Sequence, residues 1–347
     1  GARPGFDQKE VNRQFTKISW ECHDSAGLPT MLRRAFKVAT TAPGGPVYLA
    51  VPDHVLEAKN VRGTIFPKEG FILPDEIPPN HDDVDHVARL LLEARSPVLL
   101  LGDEVSRAGA QAEVFELADL LQIPVGDQGL PAFHNFPRQH PLFAGRHSSN
   151  GKDLVMYIGA SDTNMGSDPS DSTVVCLGLN TWAMGANRPF DMALVANVKV
   201  ALRAMIDAVK SQATVDRIAR IAAGRSQAGN RRREVRSDRI GMSPIHPDEL
   251  GWALEEELDR DAIIVSENLS GSNSFFSTGF REDEKMWLST SGAGLGWGVG
   301  AATGAKLGQP DLQVVCSIGD GSVMLSASGF WSQARYGVPV LTVVCNN

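Results

Sequence analysis

Two short polar motifs near the end of the chain consist of residue types that bind metal ions and phosphate groups. The first is Gly319-Asp320-Gly321-Ser322, and the second is Asn346-Asn347. An aspartate carboxylate and an asparagine amide offer the hard oxygen atoms that Mg2+ prefers. Glycines let the backbone approach a ligand closely, and free backbone amides beside a serine hydroxyl can bind a phosphate oxygen. These residue types therefore predict a site for magnesium and phosphate.

The spacing of the two motifs places them at neighbouring strand ends. The first follows an apolar run over residues 312–318, and the second follows another over residues 338–344. The residues between the motifs suffice for one turn, a helix over 326–336 and a returning strand. Ligands of parallel sheets bind beyond the carboxyl ends of the strands, where both motifs lie. An isolated Gly-Asp-Gly turn is a common surface loop, but two such motifs one crossover apart favour a shared metal site.

This pair of motifs resembles the signature of the thiamine-diphosphate enzymes, which is GDG followed by NN at the next strand end. The resemblance implies that Asp320 and Asn347 bind Mg2+ and that the ion bridges the diphosphate of the cofactor. It also implies diphosphate contacts from Gly319, Gly321 and Ser322.

A glycine-rich segment over residues 291–298 is similar to the part of that family that holds the aminopyrimidine ring. The resemblance implies that Leu295 wedges the cofactor into a bent shape and that the Ala293 carbonyl accepts a hydrogen bond from its exocyclic amine. The same glycines also match a loose dinucleotide pattern over 296–301, and simple helix packing is a third interpretation. We predict no convincing strand ahead of them, which counts against the dinucleotide pattern.

A predicted strand over residues 262–265 leads into a Ser/Gly-containing turn. In the family this turn supplies further diphosphate contacts. The matching positions are Ser266, Leu269 through its backbone, and Ser270. Because Ser/Gly turns are generic, an ordinary loop is the alternative interpretation.

The wider pattern of short apolar strands alternating with helices predicts an α/β fold with parallel sheets covered on both faces. By resemblance this is the three-domain architecture of thiamine-diphosphate enzymes, with six-stranded-type parallel sheets flanked by helices. We predict the end of a pyrimidine-binding domain over 1–55, a linker over 56–81 and a central α/β domain over 82–210. A second linker over 211–243 and a diphosphate-binding domain over 244–347 follow.

Both outer domains are expected to be incomplete in this sequence. The chain starts without methionine and stops directly after a buried strand, where a parallel sheet should not end. We therefore expect the natural protein to be longer. The catalytic glutamate that activates the cofactor is unknown here; we expect it outside the chain and assign it to neither Glu10 nor Glu21.

Composition excludes several function classes. The net charge is −8 without a basic stripe, which argues against a nucleic-acid partner. No apolar run approaches the roughly 20 residues that span a bilayer. The four cysteines form no CxxC pair, and Cys176, Cys316 and Cys345 lie in apolar strand-like runs, which favours buried thiols in a reducing, cytoplasmic compartment. We interpret His134, His140 and His147 as surface or capping histidines.

The resemblance implies a thiamine-diphosphate- and Mg2+-dependent lyase or carboligase. The substrate would be a 2-oxo acid, with an aldehyde as a further acceptor in carboligation. Ser322 and the predicted helix over 326–336 look closer to benzoylformate decarboxylases than to acetolactate synthases. The alternatives are an acetolactate synthase-type carboligase, or a non-catalytic or split-subunit homologue that only binds the cofactor.

Two further expectations concern bound groups and assembly. Residues 159–163 replace the arginine- and aspartate-rich turn of the flavin-binding synthases, so we expect no tightly bound FAD. The resemblance also implies a homo-oligomer, a dimer or tetramer, with the active site at a subunit interface.

Overall fold

The computed structural model describes residues 8–71, 76–138, 140–146, 149–160, 171–187, 189–226, 240–268, 284–290 and 294–346. The chain forms two compact units. The first comprises Gly1–Asp75 with Leu179–Thr181, and the second comprises Glu76–Gly178 with Trp182–Asn347. The division into three domains stays a prediction, since the central and last sheets belong to one of these units.

The first unit contains a small parallel sheet with helices around it. Its elements are α1 (Gln8–Arg13), β1 (Ile18–Glu21), α2 (Leu28–Thr40), β2 (Val47–Ala50) and α3 (Asp53–Leu56). Strand β1 pairs with β2 in parallel. Pro29 in the first turn of α2 suits a helix start, because its missing N–H would have no partner there. The sequence predicts a helix over 28–41 and a strand over 47–51, which α2 and β2 confirm, but it does not predict β1.

The second unit begins with a six-stranded parallel sheet in the order β5-β4-β3-β6-β7-β8. Its first strands and helices are α4 (His81–Glu93), β3 (Pro97–Leu101), α5 (Glu104–Arg107), α6 (Gln111–Leu121), β4 (Val125–Asp127) and β5 (Phe143–Arg146). The later ones are β6 (Leu154–Ile158), β7 (Thr173–Gly178), β8 (Met192–Val195), α7 (Val198–Gln212) and α8 (Val215–Ser226).

Burial explains why these segments are strands and helices. Every residue of β3 and β6 is buried, as expected for central strands with both faces covered. Asn80 and Asn197 cap α4 and α7, each side chain accepting a backbone amide of its own helix. The sequence also predicts a helix over 108–121. Helix α6 ends at the same residue but begins only at Gln111, because Gly109, with a φ of +62°, is not helical.

Helix α8 lies within the segment that the sequence presents as a linker, yet it packs on the central core. Ile218 is one of the buried core residues. The Arg225 guanidinium donates to the carbonyls of Leu91 and Ala94 at the C-terminal end of α4, at 2.7 and 2.6 Å, and to that of Leu121 at 3.1 Å. Burial lowers the pKa of Arg225 to about 10, so it remains charged at neutral pH. The first part of 211–243 is therefore structured.

The last part of the second unit is a parallel sheet whose described strands run in the order β10-β9-β11-β12. Its elements are α9 (Pro247–Glu257), β9 (Ile263–Glu267), β10 (Met286–Ser289), α10 (Gly298–Gly308), β11 (Val314–Gly319), α11 (Asp320–Ser326), α12 (Ser328–Tyr336) and β12 (Leu341–Cys345). Val299 and Ala302 of α10 pack on the apolar side chains of β9 and β11. The α/β class with parallel sheets flanked by helices is thus confirmed.

A segment of the central sheet's loops joins the edge strand β10. Ser289 N donates to the Ala132 carbonyl at 2.8 Å, and Phe133 forms an antiparallel bridge with Leu288. The rings of His134 and Trp287 stack with centroids 4.5 Å apart and an interplanar angle of 5°. Since His134 is buried, its interpretation as a surface histidine is wrong. His147 lies outside the described residues.

Within the described ranges, no helix has the length and apolar character that a bilayer span requires.

Candidate cofactor site

Strands β11 and β12 bring the two polar motifs together. They pair in parallel with Gly319 opposite Cys345, the last residue of each strand. Asp320 and Asn346 therefore follow directly at the same carboxyl edge of the sheet. The predicted adjacency of the two strand ends is confirmed. Asn347, the predicted second metal ligand, lies outside the described residues.

The residues of the first motif start a helix rather than forming a separate turn. Asp320, Gly321 and Ser322 belong to the first turn of α11, and Gly319 is its N-cap. Asp320 is exposed while Ser322 is buried. A carboxylate is favourable at a helix N-terminus because of the unpaired backbone amides there. The exposed carboxylate and the adjacent asparagine provide oxygen donors, which is the chemistry that Mg2+ requires.

The predicted contacts on β9 lie differently from the sequence expectation. The strand continues to Glu267, so the predicted end at residue 265 is two residues too early. Ser266 is 1% exposed and lies in register with Ser289 of β10 and Ser317 of β11. The Ser289 hydroxyl donates to the Ser266 carbonyl at 3.0 Å. The role of Ser266 as a cofactor contact stays a prediction, and Leu269 and Ser270 lie outside the described residues.

The glycine-rich segment meets the same edge. Leu295 is 50% exposed and immediately precedes Gly296, which has a φ of +90°. Helix α10 begins at Gly298, two residues later. Ala293 lies outside the described residues. The expectation that no strand precedes this segment is wrong, because β10 ends at Ser289.

Glu267 is a residue of this edge that the motifs did not reveal. It is only 3% exposed. Its Oε1 accepts the Gly296 amide at 2.5 Å, and its Oε2 accepts the Gly298 amide. The one available signal was its position, since an acidic residue at the end of a wholly buried strand requires partners.

The cysteine beneath the edge is chemically inert. Burial, together with the charge of Glu267, raises the pKa of the Cys316 thiol to about 12. The thiol therefore stays protonated at neutral pH. Cys22, Cys176 and Cys316 are buried, and Cys345 is partly exposed.

Within the described ranges, no group of three or more His, Cys, Asp or Glu side chains could hold a metal ion.

Comparison with protein families matches the two regions that contain the large parallel sheets. Residues 84–205 match the central domain of thiamine pyrophosphate enzymes, and residues 270–347 match their C-terminal TPP-binding domain. Thiamine pyrophosphate is another name for thiamine diphosphate. The chain belongs to the thiamine pyrophosphate enzyme family. The second match includes the glycine-rich segment, which favours cofactor binding over the dinucleotide interpretation.

The chain is also similar, at low sequence identity, to known decarboxylases and synthases. The chain is 25% identical to a benzoylformate decarboxylase of Pseudomonas aeruginosa, over 98% of this chain and 65% of that protein. It is 28% identical to the acetolactate synthase large subunit of Parasynechococcus marenigrum, over 97% of this chain and 57% of that protein. The chain thus spans less than two thirds of the length of either relative.

A solved structure shows the same fold. The benzoylformate decarboxylase of Polynucleobacter necessarius superposes with a TM-score of 0.81 at 22% identity, over 97% of this chain and 64% of that one. At this identity the likeness concerns the arrangement of the sheets and helices.

Proposed function

We propose that this chain contributes the diphosphate- and Mg2+-binding part of a thiamine-diphosphate site in an enzyme that decarboxylates a 2-oxo acid or joins two carbonyl compounds. The observation that carries the proposal is the register of β11 and β12, after which Asp320 and Asn346 follow at neighbouring strand ends. When bound, the cofactor supplies the electron sink for loss of carbon dioxide. The protein's task is to bind and orient it.

The residues divide this task among three sets. Asp320 and Asn347 hold the Mg2+ ion, while the backbone and side chains around them hold the diphosphate. The residues proposed for the diphosphate are Gly319, Gly321, Ser322, Ser266, Leu269 and Ser270. Leu295 and the Ala293 carbonyl shape and hold the pyrimidine ring, and the exposed side chain of Leu295 supports that role.

Benzoylformate or a similar 2-oxo acid is the substrate that we propose first. The benzoylformate decarboxylase relative, aligned over 98% of this chain, supports it. Acetolactate synthesis is the second candidate, which the 28% identity to an acetolactate synthase supports. A screen of benzoylformate, pyruvate, branched 2-oxo acids and oxalyl-CoA, following carbon dioxide release by the full-length protein, distinguishes the two.

We further propose a homo-oligomer, a dimer or tetramer, in which a second subunit contributes the activating glutamate. Large apolar side chains on α11 and α12 are exposed and support a partner surface there: Met324, Leu325, Trp331 and Tyr336. We also propose that the protein holds no tightly bound FAD. Flavin absorbance in the purified protein would contradict that.

The proposed Mg2+ site is tested by removing the carboxylate of Asp320. Asp320→Ala should abolish the Mg2+-dependent part of thiamine-diphosphate binding, measured by titration calorimetry with and without the ion. The matched control is Asp311→Ala, because Asp311 is an exposed aspartate ahead of the amino end of the same strand. Equal affinities in the Asp320 variant and the wild type would contradict the proposed function.

A further inference from the structure

Glu267 is a buried carboxylate whose charge is compensated by backbone rather than by a basic side chain. It ends β9 and is 3% exposed. A buried carboxylate is costly unless it is paired or hydrogen-bonded. Within the described ranges no lysine or arginine forms an ion pair with it. Its two oxygens accept the amides of Gly296 and Gly298 instead.

The Gly298 amide belongs to the first turn of α10, where backbone N–H groups have no partner inside the helix, and the Gly296 amide lies just ahead of the N-cap residue. Trp297, the N-cap residue, makes no capping hydrogen bond with its side chain. Glu267, at the end of strand β9, therefore caps helix α10. Its negative charge is also favourable beside the positive end of the helix dipole.

The glycines that contact this carboxylate have no spare room. A Cβ on Gly298 would lie 2.9 Å from Glu267 Oε2 and 3.2 Å from Ile318 Cδ1. A Cβ on Gly296 would lie 3.1 Å from Leu325 Cβ. By contrast, a Cβ on Gly300 meets nothing within 4 Å. The turn over 296–298 is thus confined between Glu267 and helix α11.

Confinement of this turn has a consequence for the neighbouring side chain. Leu295 is bonded directly to Gly296, and its half-exposed side chain lies next to the fixed turn. Helix α11, whose Leu325 touches the other side of the turn, begins with Asp320. The contacts of Glu267 and Leu325 therefore set the position of Leu295 relative to the predicted metal ligand.

We propose that Glu267 is a positioning residue: its carboxylate holds the turn over 296–298, and thereby Leu295, where Leu295 would contact the cofactor. This inference rests on the proposed function. Glu267 acts through the backbone and is assigned no contact with substrate or cofactor.

The first test is Glu267→Gln, which keeps the side-chain size but leaves one of the two amides without an acceptor. In the cofactor-free protein, hydrogen exchange at Gly296 and Gly298 should become faster. The affinity for thiamine diphosphate with Mg2+ should fall about tenfold to hundredfold, the size of a hydrogen bond to a charged group. Affinity for Mg2+-pyrophosphate alone should stay unchanged, because Asp320 and its neighbours are intact. A general loss of stability would weaken both ligands alike.

The matched control is Glu255→Gln in the same part of the chain. The Glu255 carboxylate pairs with the buried Lys285 at 3.3 Å, just ahead of the amino end of β10. Its loss should affect stability without changing exchange at Gly296 and Gly298 or cofactor affinity.

A second pair of variants tests the same contact without removing the charge. Gly298→Ala should displace the carboxylate and reproduce the loss of cofactor affinity, while Gly300→Ala should not. This pair carries the test if Glu267→Gln fails to fold. Wild-type binding with unchanged affinity in Glu267→Gln and Gly298→Ala would overturn the inference alone. Failure of the wild-type chain to bind thiamine diphosphate would overturn the proposed function, and the inference with it.

Discussion

The carboxyl edges of the two large parallel sheets differ in what occupies them. At the central sheet, Gly102 lies so close to the Gly159 carbonyl that any side chain would collide with it. A Cβ on Gly178 would come within 2.8 Å of Glu104 Oε2. The Asp103 carboxylate accepts the amides of Ala132 and Phe133 at 2.9 and 3.3 Å. At the last sheet, Asp320 and Leu295 are exposed at the corresponding edge.

Among the described residues, the carboxyl edge of the last sheet is thus more open than that of the central sheet, and ligands of parallel sheets bind beyond such edges. The central edge is filled by the protein's own carboxylates and backbone. Its role is mechanical: Asp103 holds residues 132 and 133, and these pair with Leu288 and Ser289 of β10. Strand β10 in turn supports Ser266 on β9. The carboxyl edge of the central sheet thus supports the strands β10 and β9 of the last sheet.

The largest expected effect concerns the ion pair inside the filled edge. Arg138 pairs with Asp127 at the end of β4, with their side chains 9% and 7% exposed. The Arg138 guanidinium also lies over the Phe143 ring, 4.4 Å from its centroid. Arg138→Ala would remove the basic partner of a buried carboxylate, so we expect the free energy of unfolding to fall by about 3–5 kcal/mol. Urea unfolding followed by circular dichroism measures it.

An exposed ion pair provides the control for that variant. Lys210 and Glu116 are 2.6 Å apart and about half exposed. Lys210→Ala should change the free energy of unfolding by only about 0–1 kcal/mol. Similar losses in the two variants would show that the central edge is more open to water than its burial indicates.

A glycine series compares the packing of the two edges directly. Gly159 has a φ of +64°, and its Cβ would lie 2.8 Å from Glu104 Cβ. Gly159→Ala combines backbone strain with overpacking and should cost about 2–4 kcal/mol. Gly129, with a φ of +73° and nothing within 4 Å, isolates the strain. Gly321 at the open edge has neither problem.

The expected order of destabilisation is Gly159→Ala, then Gly129→Ala, then Gly321→Ala, with the last close to wild type. Midpoints of urea unfolding rank the three variants. A cost for Gly321→Ala as large as that for Gly159→Ala would contradict the description of the last sheet's edge as open.

How much of this fold could be predicted depends on burial. Central strands such as β3 and β6 are continuous apolar runs. The sequence predicts strands over 97–102 and 153–158, and each observed strand agrees with its prediction to within about one residue. The strands β5 and β10 were missed, because their sequences, FAGR and MWLS, contain only short apolar runs. Helix α10 was missed as well, since its sequence GVGAATGAKLG is rich in glycine, a weak helix former.

The site was predictable to the extent that it depends on neighbouring strand ends. Asp320 and the asparagine pair follow two strands one crossover apart, and the chain itself records that spacing. The contacts of Glu267 were not predictable in this way. Its partners are backbone amides 29 and 31 residues further along the chain, and no side-chain pattern marks them. His134 was misinterpreted for the same reason, because its partner Trp287 belongs to another sheet.

The smallest expected effect is a pH dependence of the free energy of unfolding that arises from His134, which stacks on Trp287 of β10. Burial, with a further contribution from the nearby Arg138 charge, holds the pKa of His134 well below its ordinary value of 6.5. The folded protein therefore keeps His134 neutral at a pH where the unfolded chain takes up a proton. Above pH 6.5 both states are neutral and this residue adds no pH dependence. Below it, stability should fall by up to about 1.4 kcal/mol per pH unit.

His134→Phe keeps a flat ring against Trp287 and cannot take up a proton, so it should reduce this slope without loosening the stack. Urea unfolding of both proteins between pH 5 and pH 8 measures the difference. Burial also lowers the pKa of His140, so a smaller slope of the same sign should remain in the variant. Identical slopes in the two proteins would mean that His134 takes up a proton in the folded state. That result would contradict its burial against Trp287, because a buried charge without compensation is costly.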